Sequence, residues 1–329
     1  MKFWINGVLA LGLAIVMCSW GFLVHKTINQ LAIYELPAGM QQFFFKNQEY
    51  LVYNAPRPDT RRNSDPAEAP RHFIDAEKYG DSALWKMPYN WSDAVRKYSA
   101  DTFYKYGYVP YVVMNVETNL TRAMKNRDKD SILYYAADLG HYIGDAHVPL
   151  HTTENYDGQL TGQKGLHSLW ESTIPELEIT GYQLYSGHHA TYLKYPDAAI
   201  FNAVRQANTL LPEMLAKEKS VSLGFTDATK FRVQVRNGRE SRSYTSEFAK
   251  AYAASLKNTI NQQLIRSTDL LADFWFTAWV NAGKPDLNGL TVWMAKDDAD
   301  WKGTWDAYRT NKLIEQNLLQ AKKNAAATE

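Results

Sequence analysis

Thiol chemistry is almost absent from this chain, which has one cysteine, Cys18, in 329 residues. No disulfide can form within the chain and no thiolate cluster can hold a metal, so metal chemistry must rest on imidazole and carboxylate. Excess charge is missing as well. The 36 Lys+Arg residues against 35 Asp+Glu give a formal charge of +1, so no global field draws nucleic acid or an anionic membrane. Affinity for phosphate must come from a local site, which bound cations would supply. Long apolar runs are lacking except for residues 8–17, behind Lys2. That run is too short to span a bilayer comfortably and reads as the core of a secretory signal peptide cleaved after Ser19. Cleavage ahead of Cys18, giving a lipoprotein, is disfavoured by the bulky Met17. Cleavage after Ser19 removes the thiol, takes the formal charge to zero with Lys2, and makes Trp20 the N-terminus. It also predicts a secreted or periplasmic protein.

Apolar surface is plentiful, at 45% hydrophobic and 13% aromatic residues, ample for one large globular domain. HKTINQLAIYEL sets His25, Ile28, Leu31, Ala32 and Leu36 at helical spacing, punctuated by Pro37 and Gly39. Residues 54–71, rich in proline and charge, read as an ordered loop. A Tyr/Trp-rich region with helical segments follows over 85–111. The spacing predicts a helix over Ser131–His147, halted by Pro149, and further helices over 197–218 and 244–283. Phe231, Val233 and Val235 alternate with polar residues ahead of Asn237-Gly238, the one strand or hairpin signal. Residues 285–329 read as a C-terminal extension with a partly flexible Lys/Ala-rich tail. With no internal repeat and no domain-splitting linker, the fold class is all-α, one multi-helix domain over 20–284.

HYIGDAHVPLH carries His141, Asp145 and His151, and LHSLWE, beginning fifteen residues later, carries His167 and Glu171. Positions i and i+4 share a helix face, so His141/Asp145 and His167/Glu171 are imidazole–carboxylate pincers. Those are the ligand types of hydrolytic zinc. His72 stands in RHFID with Asp75 three residues on, and His25 lies on the inward face of the first helix. A single histidine on an apolar face is ordinarily a hydrogen-bonded core residue. Several histidines buried together with carboxylates are costly without a compensating cation. Asp138, one turn before His141, is placed to orient it. His147 lies off that face and reads as structural, and His188 and His189 receive no role.

Taken in order, Trp20, His25, Asp59, His72, His141, Asp145, His151, His167 and Glu171 resemble the ligand pattern of a three-zinc superfamily. That superfamily contains bacterial zinc-dependent phospholipase C and the secreted single-strand-specific nucleases. The resemblance runs from residue 20 to about 175 and implies a trinuclear zinc site in a cleft between helices. It implies one zinc held by His72, His141, Asp145 and Asp59, and a second, more open zinc held by His151, His167 and Glu171. The third would be held by His25 and by the α-amino group and carbonyl of Trp20, with Asp145 bridging to the first. An α-amino group with a pKa of about 8 can be deprotonated by zinc at neutral pH. The implied reaction is phosphodiester hydrolysis by a hydroxide shared between two zincs, in which Asp59, Asp145 and Arg62 take catalytic parts. Arg62 resembles the arginine that clamps phosphate in the nucleases. Spacing leaves Asp65 open as a substitute for Asp59.

Phe73 and Asp75 resemble residues that stack on and hydrogen-bond an unpaired base in the nuclease branch, but the phospholipase branch has a similar aromatic and aspartate there, so the pair does not separate the two. The short Trp20–His25 interval and Arg62 favour single-stranded nucleic acid as substrate. Glu171 and the short His151–His167 interval instead resemble the phospholipases, whose substrate is a phospholipid head group. The neutral charge and the lack of an amphipathic membrane helix tip the reading to a nuclease; no protein partner is implied, and a monomer is expected. Phospholipase C activity is the alternative, and a non-catalytic extracytoplasmic zinc-binding protein is the reading from another class.

Overall fold

The inward spacing at the start of the chain forms α1 (Phe22–Tyr34), with Ile28, Leu31, Ala32 and Ile33 buried. The computed structural model describes residues 21–236 and 239–322. The expected signal segment with Cys18, Trp20 and the Asn237-Gly238 turn lie outside the described residues. After α1 come α2 (Ala38–Lys46), α3 (Gln48–Asn54) and the short α4 (Arg57–Arg61). The expectation of a loop over 54–71 is therefore corrected. Pro58 falls in the first turn of α4, where a missing N–H costs no hydrogen bond, and a 3-10 turn follows at Ala69–Arg71.

The aromatic-rich stretch folds as α5 (Ala83–Lys86), α6 (Trp91–Tyr98) and α7 (Ala100–Tyr106). α8 (Val109–Lys125) then packs along α9 (Lys129–Ala146), whose first turn is capped by the Asp128 carboxylate accepting from the Ser131 N–H. From Ala136 to His147 every residue is buried. This central helix packs against α1, α3 and α8, yet it carries Asp138, His141 and Asp145 inward, with His147 buried at its end. Two glycines on it admit α1. A Cβ at position 140 would lie 2.4 Å from Asn29 Nδ2, and one at 144 would lie 2.9 Å from His25 Nδ1.

Beyond α9 the chain makes a 3-10 turn at Pro149–Thr152. It then loops to α10 (Leu166–Ser168), which continues through a π-helical turn at Leu169–Thr173 into α11 (Ile174–Glu178). The helix expected over 197–218 is two, α12 (Pro196–Thr209) and α13 (Leu211–Ser222), because Pro212 cannot donate to a continuous ladder. α14 (Asp227–Lys230) leads into an antiparallel hairpin, β1 (Phe231–Arg236) with β2 (Arg239–Tyr244), in which Phe231 faces Tyr244. The helix expected over 244–283 is also two, α15 (Ser246–Leu256) and α16 (Thr259–Asn281), parted at Lys257 with φ 57°. α16 closes over α1, α8 and α9.

Residues 285–322 dock on the beginning of the chain. α17 (Ala295–Arg309) brings the Tyr308 ring 4.8 Å from Tyr34, Lys46 pairs with Asp297 at 2.7 Å, and the Gln30 amide donates to the Leu318 carbonyl at 2.8 Å. Among the described residues the fold is all-α with one small hairpin. No helix among the described residues is long and apolar enough to cross a membrane. Two hydrophobic clusters make up the interior. One is centred on α1, α8, α9 and α16, and the other joins Leu150, Leu166, Trp170, Phe248 and Tyr252. The candidate ligands draw on both, His141 and Asp145 lying on α9 of the first and His151 and His167 adjoining Leu150 and Leu166 of the second.

Candidate metal centre

Asp145 is the hub. Its Oδ2 lies 2.9 Å from His72 Nδ1 and 3.3 Å from His141 Nε2, while Oδ1 lies 3.6 Å from His25 Nε2. Burial would raise the carboxyl pKa, but His141, His151 and His72 hold it below the usual range, so Asp145 is a carboxylate. His141 is neutral, its pKa pushed down to about 3 by burial. Its Nδ1 donates to the Ala55 carbonyl at 3.0 Å, which leaves a lone pair on Nε2 facing His72 Nδ1 at 3.0 Å. Asp59 Oδ1 closes the group, 3.7 Å from His72 Nδ1 and 3.8 Å from His141 Nε2.

Four donors held roughly 2.0–2.1 Å from a tetrahedral ion are separated by about 3.3 Å. The spacings of Asp59 and Asp145 to the His72 and His141 nitrogens, and between those two nitrogens, run from 2.9 to 3.8 Å and bracket that value. Asp65 stands apart, its Oδ1 accepting from the Ala67 N–H at 2.9 Å. The structure thus brings Asp59, and not Asp65, to the cluster.

The second group is built where the 3-10 turn after α9 meets the π-helical turn. His151 Nδ1 donates to the His72 carbonyl at 2.7 Å, and the Ile74 N–H returns a bond to the His151 carbonyl at 2.8 Å. These bonds lock the two ligand-bearing segments together and aim His151 Nε2 at Glu171 Oε1, 2.9 Å away. His167 Nε2 lies 2.9 Å from Glu171 Oε2 and 3.3 Å from His151 Nε2. Although burial lowers the pKa of His151, Glu171 and Asp145 raise it to about 10. A positive charge is therefore strongly favoured at this point, the demand a divalent ion would meet.

His25 stacks on His141 with ring centroids 4.0 Å apart, and its Nδ1 has no hydrogen-bond partner. His25, His141 and Asp145 form a third group of converging donor atoms beside Gly21, where the described chain begins. The role expected for Trp20 lies outside the described residues.

Arg62 is half exposed at the rim, with Nη1 3.4 Å from Asp59 Oδ1. Phe73 lies over Gly107, where φ is +83° and a Cβ would come 2.2 Å from the Phe73 carbonyl oxygen. The backbone beside it is pinned by Asp75 N–H to the Tyr106 carbonyl and Val109 N–H to that of Phe73. Burial, then the charges of Glu77 and Glu154, raise the Asp75 pKa to about 7.

The expectation that Asp138 orients His141 is corrected. Asp138 accepts from Arg57 at 2.6 Å and Arg61 at 3.1 Å, and the Ala55 carbonyl orients His141 instead. His147 is buried, donating Nδ1–H to the Ile143 carbonyl at 2.7 Å, and His188 pairs with Asp273 at 2.8 Å. Sequence reading missed Glu68. It is fully buried, holds Arg61 at 2.9 Å and accepts from the Tyr142 hydroxyl. Its position four residues before His72 was the available signal.

No curated protein matches the chain in sequence. The family profile described as S1/P1 Nuclease matches residues 20–276, most of the chain and all of the converging donor residues. The chain belongs to the S1/P1 nuclease family, zinc-dependent hydrolases of the phosphodiester bonds of nucleic acid.

Proposed function

We propose that this protein is an extracytoplasmic nuclease that hydrolyses single-stranded nucleic acid at a three-zinc centre. The observation that carries the reading is the convergence of three groups of imidazole and carboxylate donors about Asp145 at spacings suited to zinc. His72, His141, Asp145 and Asp59 would hold one ion, and His151, His167 and Glu171 a second. His25 with the amino group and carbonyl of a processed Trp20 would hold the third. Zinc supplies Lewis acidity there, lowering the pKa of water toward about 7 and offsetting phosphate charge.

The rest belongs to the chain. The two oxygens of Asp145 tie the groups into one rigid array. Arg62 reaches from the rim to hold phosphate oxygens with its fork, and its proximity to Asp59 keeps it over the centre. Phe73 offers a face for an unpaired base, and Asp75 a hydrogen-bonding edge, on a segment whose backbone is fixed at both ends. A duplex base, already stacked on both sides, gains nothing from such a face, which supports the preference for single strands. Residues 20–284 form the catalytic unit, with 285–322 as a brace. Cleavage after Ser19 delivers it outside the cytoplasm.

The deciding experiment incubates the zinc-loaded, processed protein with single-stranded DNA, RNA and phosphatidylcholine side by side. The nuclease reading expects chelator-sensitive cleavage of the nucleic acids. Release of phosphocholine with nucleic acid intact would replace it with a phospholipase, and stoichiometric zinc with no turnover would replace it with a metal-binding protein. A chain retaining residues ahead of Trp20 is expected to lose one zinc and most activity.

A further inference from the structure

His72 presents a problem of proton placement. Its Nδ1 faces three acceptors: Asp145 Oδ2 at 2.9 Å, the His141 Nε2 lone pair at 3.0 Å and Asp59 Oδ1 at 3.7 Å. If zinc binds in that group, Nδ1 is a donor atom to the metal and the ring proton sits on Nε2. The Nε2 atom is buried with no hydrogen-bond partner within bonding geometry. The nearest charged acceptor is Glu68 Oε1 at 3.5 Å, one helical turn back in sequence.

Glu68 is held by several donors at once. Arg61 binds it through Nε at 2.9 Å and Nη2 at 3.1 Å, Arg71 approaches at 3.3 Å, and the Tyr142 hydroxyl donates to the same Oε1 that faces His72. Arg61 is fixed in turn by Asp138 at 3.1 Å, and Asp138 by Arg57, which lies 3.9 Å over the Tyr134 ring. The line Arg57–Asp138–Arg61–Glu68 thus ends at the back of a proposed zinc ligand. Its other members each satisfy one another, whereas the His72 Nε2–H is left for Glu68 alone.

We propose that Glu68 is the positioning residue of the centre, accepting the Nε2–H of His72 so that the imidazole meets zinc through Nδ1 in a fixed orientation. The inference rests on the zinc reading above. A ligand's outer partner fixes its tautomer and raises its basicity, and losing such a partner typically weakens metal affinity roughly 10–100-fold. The effect should fall on the group formed by His72 and leave His151, His167 and Glu171 untouched.

Two measurements test this without substrate. Chelator competition on Glu68→Gln, with the metal-free protein's unfolding midpoint as a folding check, should show one zinc bound roughly 10–100-fold more weakly and the others unchanged. Histidine-selective nitrogen–proton NMR of the zinc-loaded natural sequence should show His72 protonated on Nε2 with slow exchange. This second readout stands even if the variant does not fold. A His72 ring protonated on Nδ1, or a folded Glu68→Gln with unaltered affinity at every site, would overturn the proposal. A protein that takes up no zinc would overturn it together with the reading beneath it. Zinc bound as expected without nucleic-acid cleavage would remove only the nuclease reading.

Discussion

At the scale of single residues, the contrast between Asp59 and Asp65 carries most information. Both sit in one proline- and charge-rich stretch, and spacing left them interchangeable. Asp59 lies on the short helix α4, which turns it toward His72 and His141, whereas Asp65 lies beyond the end of that helix and accepts from the Ala67 N–H. Asp59→Asn is expected to lose one zinc and on the order of 10²-fold or more in activity, since it removes a direct ligand rather than an outer partner. Asp65→Asn should stay within about 0.5 kcal/mol of the natural stability, as surface substitutions usually do. Metal analysis and rates on the purified pair check this, and equal losses would return Asp65 to the ligand set. The ligand types were legible because i, i+4 spacing on a helix makes a pincer visible without tertiary structure. Asp138 was misread by the same rule. Its partners Arg57 and Arg61 lie about eighty residues upstream, and no local spacing reports a partner at that distance.

At the scale of elements, ligand geometry is set by how closely α1 approaches α9. His25 stacks on His141 only because position 144 has no Cβ, and Gly140 gives the same clearance to Asn29. A methyl group at 144 would have to push the imidazole away, since 2.9 Å to His25 Nδ1 is inside any tolerated contact. Gly144→Ala is therefore expected to cost about 1–3 kcal/mol by overpacking and to weaken zinc binding at the His25 group. Gly181→Ala, where nothing lies within 4 Å of the added carbon, serves as the control and should leave both unchanged. Thermal unfolding with zinc titration measures the pair. The existence of the long helices was readable from apolar spacing, but their joints were less so. Pro212 was a visible break that the apolar periodicity outweighed. The break at Lys257 depends on a left-handed backbone, which lysine does not advertise.

At the scale of the whole molecule, residues 285–322 brace the start of the chain, and the brace has a buried acidic joint. Glu35 at the end of α1 is almost fully buried, accepting from the Tyr308 hydroxyl of α17 at 2.9 Å and from Ser186 at 3.3 Å. Asp269 of α16 faces it, and Asp273 of the same helix holds His188 at 2.8 Å. Glu35 Oε2 and Asp269 Oδ1 are both buried without a protein donor. Two carboxylates so placed cannot both ionise cheaply. Burial first, and then the charge of Asp269, raise the Glu35 pKa to about 9, and Asp269 is raised by burial as well. The folded protein thus keeps a proton on this joint that the unfolded chain releases near the ordinary value of 4.5. The folded state binds more protons between those values. The stabilisation from Glu35 is therefore full below about pH 4.5, falls steadily above it, and is gone once pH passes about 9. Glu35→Gln removes the titration and can donate its amide to Asp269. On metal-free protein, where zinc release cannot intrude, the variant should gain in unfolding midpoint over the natural sequence as pH rises from 5 to 9, by several degrees at the alkaline end. Parallel pH curves for the two proteins would mean the joint is not protonated. A sequence reading that treats the last forty-five residues as an extension has no means of seeing this, because the apolar and polar contacts that dock Tyr308, Asp297 and Leu318 reach back about 250–290 positions.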